Sequence, residues 1–250
     1  MQLNKDLYRL FCEQAARVRT TSITIGLRYT AVTTDDGGIG IAFTDVARGH
    51  HCCGTGKGYR DLEGEPALEL LEYIKDDEPL RRSMALALVN ALNYGNSRDL
   101  PEDSEDGIWM DTLGVQSGTR VAMVGLFRPL MHKFHERGAQ VEVLDAGQGI
   151  GNRDDFYKKL GDWAEVLILS GTSIINNTTE EVLSRISDTT RTVLLGPSTP
   201  LVPQVFTHPS MYLLAGTVPV DSEKVLKAVR HGQGTPVLHR YSRKVSIVMK

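Results

Sequence analysis

Val121-Ala122-Met123-Val124-Gly125 is the stretch that decides the fold of the second half of this 250-residue chain. It is a short apolar run that ends in glycine, and helical segments separate it from most of the similar runs that follow. Buried parallel strands have this composition because helices cover both faces of their sheet. The pattern therefore predicts an α/β fold with a Rossmann-like, doubly wound parallel sheet. Its further strands are predicted at residues 141–145, 166–170, 192–196 and 212–216.

The first hundred residues show a different pattern. Apolar side chains recur at helical spacing over residues 3–18, and from Ile23 to Thr30 they alternate with a period of two, which indicates one strand. A turn at residues 35–38 then leads into a second strand, and two helices follow. These elements predict a smaller α+β domain at residues 1–98. An acidic, turn-rich linker is predicted at 99–112, and the Rossmann-like domain at 113–250.

Composition restricts the partners and the compartment. The formal net charge of −3 gives no broad basic field for phosphates, so nucleic acid is not an expected partner. The N-terminal residues lack the apolar core of a signal peptide, and no run approaches the roughly 18 apolar residues that span a bilayer. Three cysteines are too few for a disulfide framework and suit a reducing compartment. We therefore expect a cytoplasmic protein without a membrane partner; the oligomeric state, including a homo-oligomer, stays open.

Three loops follow the predicted strands of the second domain, at residues 125–129, 171–178 and 196–200. Each contains glycine together with hydroxyl, amide or cationic groups. In open α/β sheets, ligands bind outside the carboxyl ends of the strands, so these loops predict a ligand site, which we expect in the cleft between the two domains. Ordinary turn chemistry selects the same residue types, and well-formed turns are the alternative interpretation.

Asp145 follows Gly125 by 20 residues, the separation at which an acidic residue binds a nucleotide ribose in dinucleotide-binding folds. The glycine fingerprint of those folds is missing, and Phe127 occupies a position where its side chain would block close approach of a pyrophosphate.

The first domain offers two further candidates. His50-His51-Cys52-Cys53 places potential ligands for a soft or borderline divalent transition metal in a row, and we select His51, Cys52 and Cys53. A loop with solvated histidines and a packed cysteine is the alternative. Arg28, placed at the centre of the predicted strand, can offer a bidentate fork to a carboxylate or a phosphate, or form a surface ion pair.

Four runs of the sequence resemble the prokaryotic family described as putative heavy-metal chelation, whose domains are of unknown function. They are residues 25–32, 121–125, 170–176 and 194–201. The resemblance implies an enolase-N-terminal-like domain fused to a Rossmann-like domain, with a site between them. Its motif loops fall on Gly125, Phe127, Pro129, Gly171, Thr172, Asn176, Gly196, Pro197, Ser198 and Thr199, and the first domain adds Arg28 and Cys52 or Cys53.

The leading hypothesis is a protein that binds a metal ion, or a small metal-chelating anion, in the interdomain cleft. The alternative is a Rossmann-type enzyme that acts on a nucleotide-like or S-adenosyl-type molecule. A third class, an interaction module without a small ligand, predicts an exposed apolar patch. Because no motif for nucleophilic catalysis is present, the sequence leaves open whether the protein is an enzyme.

Overall fold

The computed structural model describes residues 1–46, 59–103 and 107–249. The chain forms two compact units, and each contains two stretches of sequence. The first unit consists of Met1–Leu100 and Thr217–Arg243, and the second of Pro101–Gly216 and Lys244–Lys250. No helix in the described part of the chain is long and apolar enough to cross a membrane.

Within residues 1–46 and 59–100 the structure shows four α-helices, three strands and one 3-10 turn. In chain order they are α1 (Gln2–Ala15), β1 (Thr20–Ile25), β2 (Tyr29–Thr34), β3 (Ile39–Phe43), α2 (Ala67–Leu71), the 3-10 turn Glu72–Lys75, α3 (Pro79–Leu92) and α4 (Tyr94–Ser97). The remaining elements are α5 (Gly107–Thr112), β4 (Arg120–Val124), α6 (Arg128–Glu136), β5 (Gln140–Leu144), α7 (Arg153–Trp163), β6 (Val166–Ser170), α8 (Thr172–Ile175), α9 (Thr179–Leu183), β7 (Arg191–Leu195), the 3-10 turn Pro203–Val205, β8 (Met211–Pro219), α10 (Ser222–Arg230), α11 (Thr235–Leu238) and β9 (Ser242–Val248).

The sheet of the first unit is antiparallel and three-stranded, with the order β1-β2-β3. The prediction of one continuous strand from Ile23 to Thr30 is wrong, because the chain turns at Gly26, whose N–H donates to the Tyr29 carbonyl at 2.9 Å. A Cβ on Gly26 would lie 2.3 Å from the Val229 carbonyl oxygen of α10, so only glycine fits there. The predicted turn at residues 35–38 is confirmed, since β2 pairs with β3 in antiparallel register.

The core of the first unit explains why residues 217–243 belong to it. Side chains of α10 and α11 pack on one face of the sheet; this cluster contains Tyr29, Ala31, Ile39, Ile41, Val225, Ala228, Val229 and Leu238. On β3, α3 comes so close that a Cβ on Gly40 would lie 2.2 Å from the Ala87 carbonyl oxygen. The contacts thus group Thr217–Arg243 with the first unit, whereas the boundaries drawn from the sequence keep 113–250 together.

The second unit contains a six-stranded sheet with the order β5-β4-β6-β7-β8-β9. Strand β4 pairs in parallel with β5 and β6, and parallel pairing continues from β6 to β7 and from β7 to β8. This confirms the predicted Rossmann-like parallel sheet, and β9 is a strand that sequence patterns missed. The core cluster that contains residues of this sheet also includes Trp109 and Met110, each 1% exposed, although both residues lie in the stretch expected to be a linker.

Candidate functional site

The strand order defines where a ligand site is expected in the second unit. From β4 the chain continues to β5 on one side, and from β5 it crosses to β6 on the other side of β4. The carboxyl ends of β4 and β6 are therefore the topological switch point of the sheet, where the connecting loops diverge and leave a crevice. We call residues 125–129, 170–178 and 196–200, at the carboxyl ends of β4, β6 and β7, the switch-point loops.

The switch-point loops are in direct contact with one another, and glycines make the contact possible. Gly125 has a φ of +90°, and a Cβ on it would lie 2.9 Å from the Cβ of Ser170. A Cβ on Gly171 would lie 2.8 Å from the backbone nitrogen of Thr199. No side chain longer than hydrogen fits at either position without a shift of its neighbour. The structure therefore brings together three of the loops that the sequence singled out.

Phe127 lies across these loops. Its ring atom Cε2 is 3.8 Å from the position of a Cβ on Gly125, and Cε1 is 3.8 Å from that of a Cβ on Gly196. The partly buried ring thus extends from the end of β4 to the end of β7, and in the sheet β6 lies between these two strands. The backbone N–H of Phe127 donates to the sulfur of Met123 at 3.4 Å.

Two hydroxyl groups of the switch-point loops, those of Ser170 and Thr172, bind each other. Ser170 Oγ accepts hydrogen bonds from the backbone N–H of Thr172 at 3.3 Å and from its hydroxyl at 2.9 Å. The hydrogen of the Ser170 hydroxyl is then available for another acceptor. Ser170 was not selected from the sequence, although its position at the end of an apolar strand, directly before Gly171, is the signal that could have identified it.

Thr199 is the most unusual of these residues. It is 2% exposed, and its backbone N–H donates to the Gly196 carbonyl at 2.9 Å, which closes a tight turn. Its Oγ1 is buried and has no hydrogen-bond partner in the described part of the chain. A buried hydroxyl without a partner costs about 1–3 kcal/mol, so such groups are rare in folded proteins.

Asp145 holds two loops together at the same edge of the sheet. Its Oδ2 accepts from the backbone N–H of Leu126 at 2.8 Å and from Gln148 Nε2 at 3.0 Å, and its Oδ1 accepts from the Gln148 N–H at 2.9 Å. Both carboxylate oxygens are therefore engaged by the protein itself, and Asp145 positions the chain that leads to Phe127.

The segment after Gly171 is more ordered than the predicted loop. Thr172 begins the one-turn helix α8, and Asn176 is exposed directly after it. Asn177 has a φ of +57°. Helix α9 starts at Thr179, and the side chain of Thr178, its N-cap residue, forms no capping hydrogen bond.

The other selected residues are placed as follows. Pro129 is exposed in the first turn of α6, Pro197 is half-buried, and Ser198 is buried in the turn that Thr199 closes. Arg28 lies in the exposed turn between β1 and β2 of the first unit and not at a strand centre, because the strand ends at Ile25.

The predicted metal ligands His51, Cys52 and Cys53 lie outside the described residues. Within residues 1–46, 59–103 and 107–249, no group of three or more His, Cys, Asp or Glu side chains is arranged to hold a metal ion.

The order of the six strands and the loops at their switch point define a Rossmann-like α/β protein with a candidate site that contains several hydroxyl groups. Two family models identify the chain more closely. DUF364, described as "Putative heavy-metal chelation", matches residues 109–248, and DUF4213, with the same description, matches residues 8–93. The chain belongs to this family.

Relatives and solved structures agree with this assignment. An uncharacterized protein of Methanocaldococcus jannaschii is 21% identical over 259 residues, which cover 98% of this chain and 96% of that protein. The crystal structure of a DUF364 protein of unknown function from Pyrococcus horikoshii has a TM-score of 0.81 at 21% identity, covering 99% of this chain and 100% of the other. A second DUF364 structure, from Desulfitobacterium hafniense, has a TM-score of 0.77 at 16% identity with the same coverage. These two likenesses show the fold.

Proposed function

We propose that this protein binds a metal ion together with a small organic anion that chelates it, and that the anion binds at the switch-point loops. The observation that carries the proposal is the contact of three loops at the switch point, where Ser170, Thr172 and Thr199 contribute hydroxyl groups and no carboxylate. Hydroxyl donors favour an anionic ligand over a bare cation. The description of the family supports the involvement of a metal.

The protein ligands that we propose for the metal are His51, Cys52 and Cys53, on the basis of their chemistry alone. Imidazole and thiolate prefer soft or borderline divalent transition metals such as zinc. Carboxylates of the small organic anion would supply further oxygen ligands. A reducing, cytoplasmic compartment would keep the two thiols available for this role.

Native mass spectrometry of untagged protein, purified without chelators, tests the proposal. We expect an excess mass that corresponds to a metal ion with a small organic acid and that disappears on denaturation. The double variant Cys52→Ser/Cys53→Ser should lose the metal, whereas Cys12→Ser, which changes the half-buried cysteine of α1, should retain it. Native and denatured masses that agree, before and after incubation with zinc, would contradict the proposal.

A second candidate function is an enzyme that acts on a nucleotide-like or S-adenosyl-type molecule. The strand order favours it, because nucleotides also bind at the switch point of sheets in which the first strand lies between the second and the third. The same measurement separates the two candidates, since an excess mass of several hundred daltons without metal, on the order of a nucleotide, would support the enzyme.

A further inference from the structure

The hydroxyl of Thr199 is the feature of the switch-point loops that packing alone does not explain. Threonine and valine have nearly the same shape, and valine would fill a buried position without an unpaired polar atom. Buried hydroxyls almost always have a partner, so a partner that arrives from outside is a physical reason to retain one. The loop containing Thr199 lies at the edge of the sheet where ligands bind in this class of fold.

The turn that ends at Thr199 is held from two sides. On one side, Gly171 lies so close to the turn that a Cβ on it would be 2.9 Å from Thr199 Oγ1. On the other side, the Phe127 ring lies against Gly196, the first residue of the turn. Gly125 and Gly196 have no side chains, so neither of these two residues places a side-chain atom against the ring, whose other neighbours belong to the core of the sheet.

We propose that Thr199 Oγ1 donates a hydrogen bond to a carboxylate of the ligand, and that the Phe127 ring closes this position until the ligand displaces it. The inference rests on the proposed function and specifies its ligand as a carboxylate-bearing chelator. The hydrogen of the Ser170 hydroxyl, which its bonds with Thr172 leave available, serves as a second donor from the neighbouring strand. Two hydroxyl donors at the ends of adjacent strands suit the paired oxygens of a carboxylate.

Calorimetric titration of the full-length protein with zinc citrate, and separately with citrate, tests the role of Thr199. In Thr199→Val the affinity should fall on the order of tenfold or more, the value of one hydrogen bond to a charged group. The matched control Thr199→Ser keeps the hydroxyl and should bind within about threefold of the wild type. Equal affinities of wild type and Thr199→Val, or equal losses in both variants, would overturn the assignment.

Thermal unfolding without ligand provides a second measurement that does not depend on binding. Thr199→Val should raise the melting temperature by a few degrees, roughly the effect of removing one unpaired buried polar group. A lower melting temperature would mean that the hydroxyl has a partner in the ligand-free protein, which would also overturn the inference.

Stopped-flow binding of zinc citrate tests the role of Phe127. If the ring closes the site, Phe127→Ala should bind several-fold faster, because a larger fraction of molecules is open. Phe127→Leu keeps most of the volume and should remain close to the wild type. Slower or weaker binding by Phe127→Ala would show that the ring is instead a contact surface for the ligand, and would overturn the closure.

The inference and the proposed function can fail separately. A metal complex in the native mass spectrum, combined with no binding of citrate in either form, would overturn carboxylate recognition and leave metal binding intact. Binding of metal-free citrate without any metal in the protein would overturn the metal function while Thr199 keeps its role.

Discussion

The two edges of the six-stranded sheet differ in how completely their polar groups are paired. At the amino edge, Arg120, Glu165 and Arg191 lie on the neighbouring strands β4, β6 and β7 or directly before them, as an alternating row of charges. Glu165 Oε2 accepts from the backbone N–H of Arg120 at 2.9 Å and from its Nε at 3.4 Å. The guanidinium of Arg191 donates to the Leu113 carbonyl. Each of these three charged side chains therefore has a partner within the protein.

The carboxyl edge has the opposite character. Besides Arg128 and Asp145, its loops contain glycines and hydroxyls, and one hydroxyl, that of Thr199, is buried without a partner in the described part of the chain. Charged groups that bind partners within the protein contribute to stability, whereas a hydrogen-bond donor without a partner in the protein is available to a ligand. We therefore expect the Arg120–Glu165 pair to contribute to stability and the hydroxyl of Thr199 to be available to a ligand.

The largest expected effect comes from Gly171→Ala, because the new Cβ would meet the backbone of residues 198 and 199 at 2.8–2.9 Å. We expect a loss of about 2–3 kcal/mol in the free energy of unfolding, measured by chemical denaturation. The matched change at the amino edge is Gly161→Ala, where the nearest atom, the Arg185 carbonyl oxygen, is 3.1 Å away. There the gain in helix propensity of up to about 1 kcal/mol offsets the tight contact. Similar losses in both variants would contradict the difference in packing between the edges.

A smaller effect is expected from Asp145→Ala. The substitution removes the acceptor for the Leu126 and Gln148 N–H groups, which should cost about 2 kcal/mol in unfolding free energy. The control Asp162→Ala changes an exposed carboxylate in the last turn of α7, at the amino edge, and should leave stability within about 0.5 kcal/mol. If Asp145 instead serves a nucleotide, Asp145→Ala should keep its stability and lose only the thermal shift that nucleotides produce.

The smallest expected effect is the pH-dependent contribution of Glu165 to the free energy of unfolding. The backbone N–H of Arg120 and then its guanidinium lower the pKa of Glu165 below its usual range, although partial burial acts in the opposite direction. A carboxylate with a lowered pKa stabilises the fold above its unfolded pKa, and this contribution disappears as the pH falls through the folded value. Because Glu165 is half-exposed, we expect less than about 1 kcal/mol.

Urea denaturation of wild type and Glu165→Gln at pH 7 and below pH 3 measures this contribution. The two proteins should differ at pH 7 and converge in acid. A difference that is the same at both pH values would show that the pair at the amino edge is not electrostatic.

The sequence predicted the large sheet well because its signal is local. Apolar runs that end in small residues, such as residues 121–125 and 166–170, are buried whatever surrounds them. The close approach that requires glycine at position 26 could not be predicted, since the Val229 carbonyl lies about two hundred residues away in the sequence. For the site, the loops were predictable from the rule for strand ends. It could not be predicted that Thr199 Oγ1 has no hydrogen-bond partner in the described part of the chain, because hydrogen bonding depends on which atoms three separate loops bring together.

The two-part composition of the first unit has a consequence for synthesis on the ribosome. Its β2–β3 face is covered by α10 and α11, which the ribosome makes only after the whole of Pro101–Gly216. The nascent chain therefore carries Ala31, Ile39 and Ile41 without their final covering while more than a hundred further residues are translated. Nascent apolar surface of this kind is a target for chaperones. A gene fragment that ends at residue 100 lacks the side chains that α10 and α11 contribute to this core. Expression of the first unit therefore requires residues 217–243 to be joined to residues 1–100.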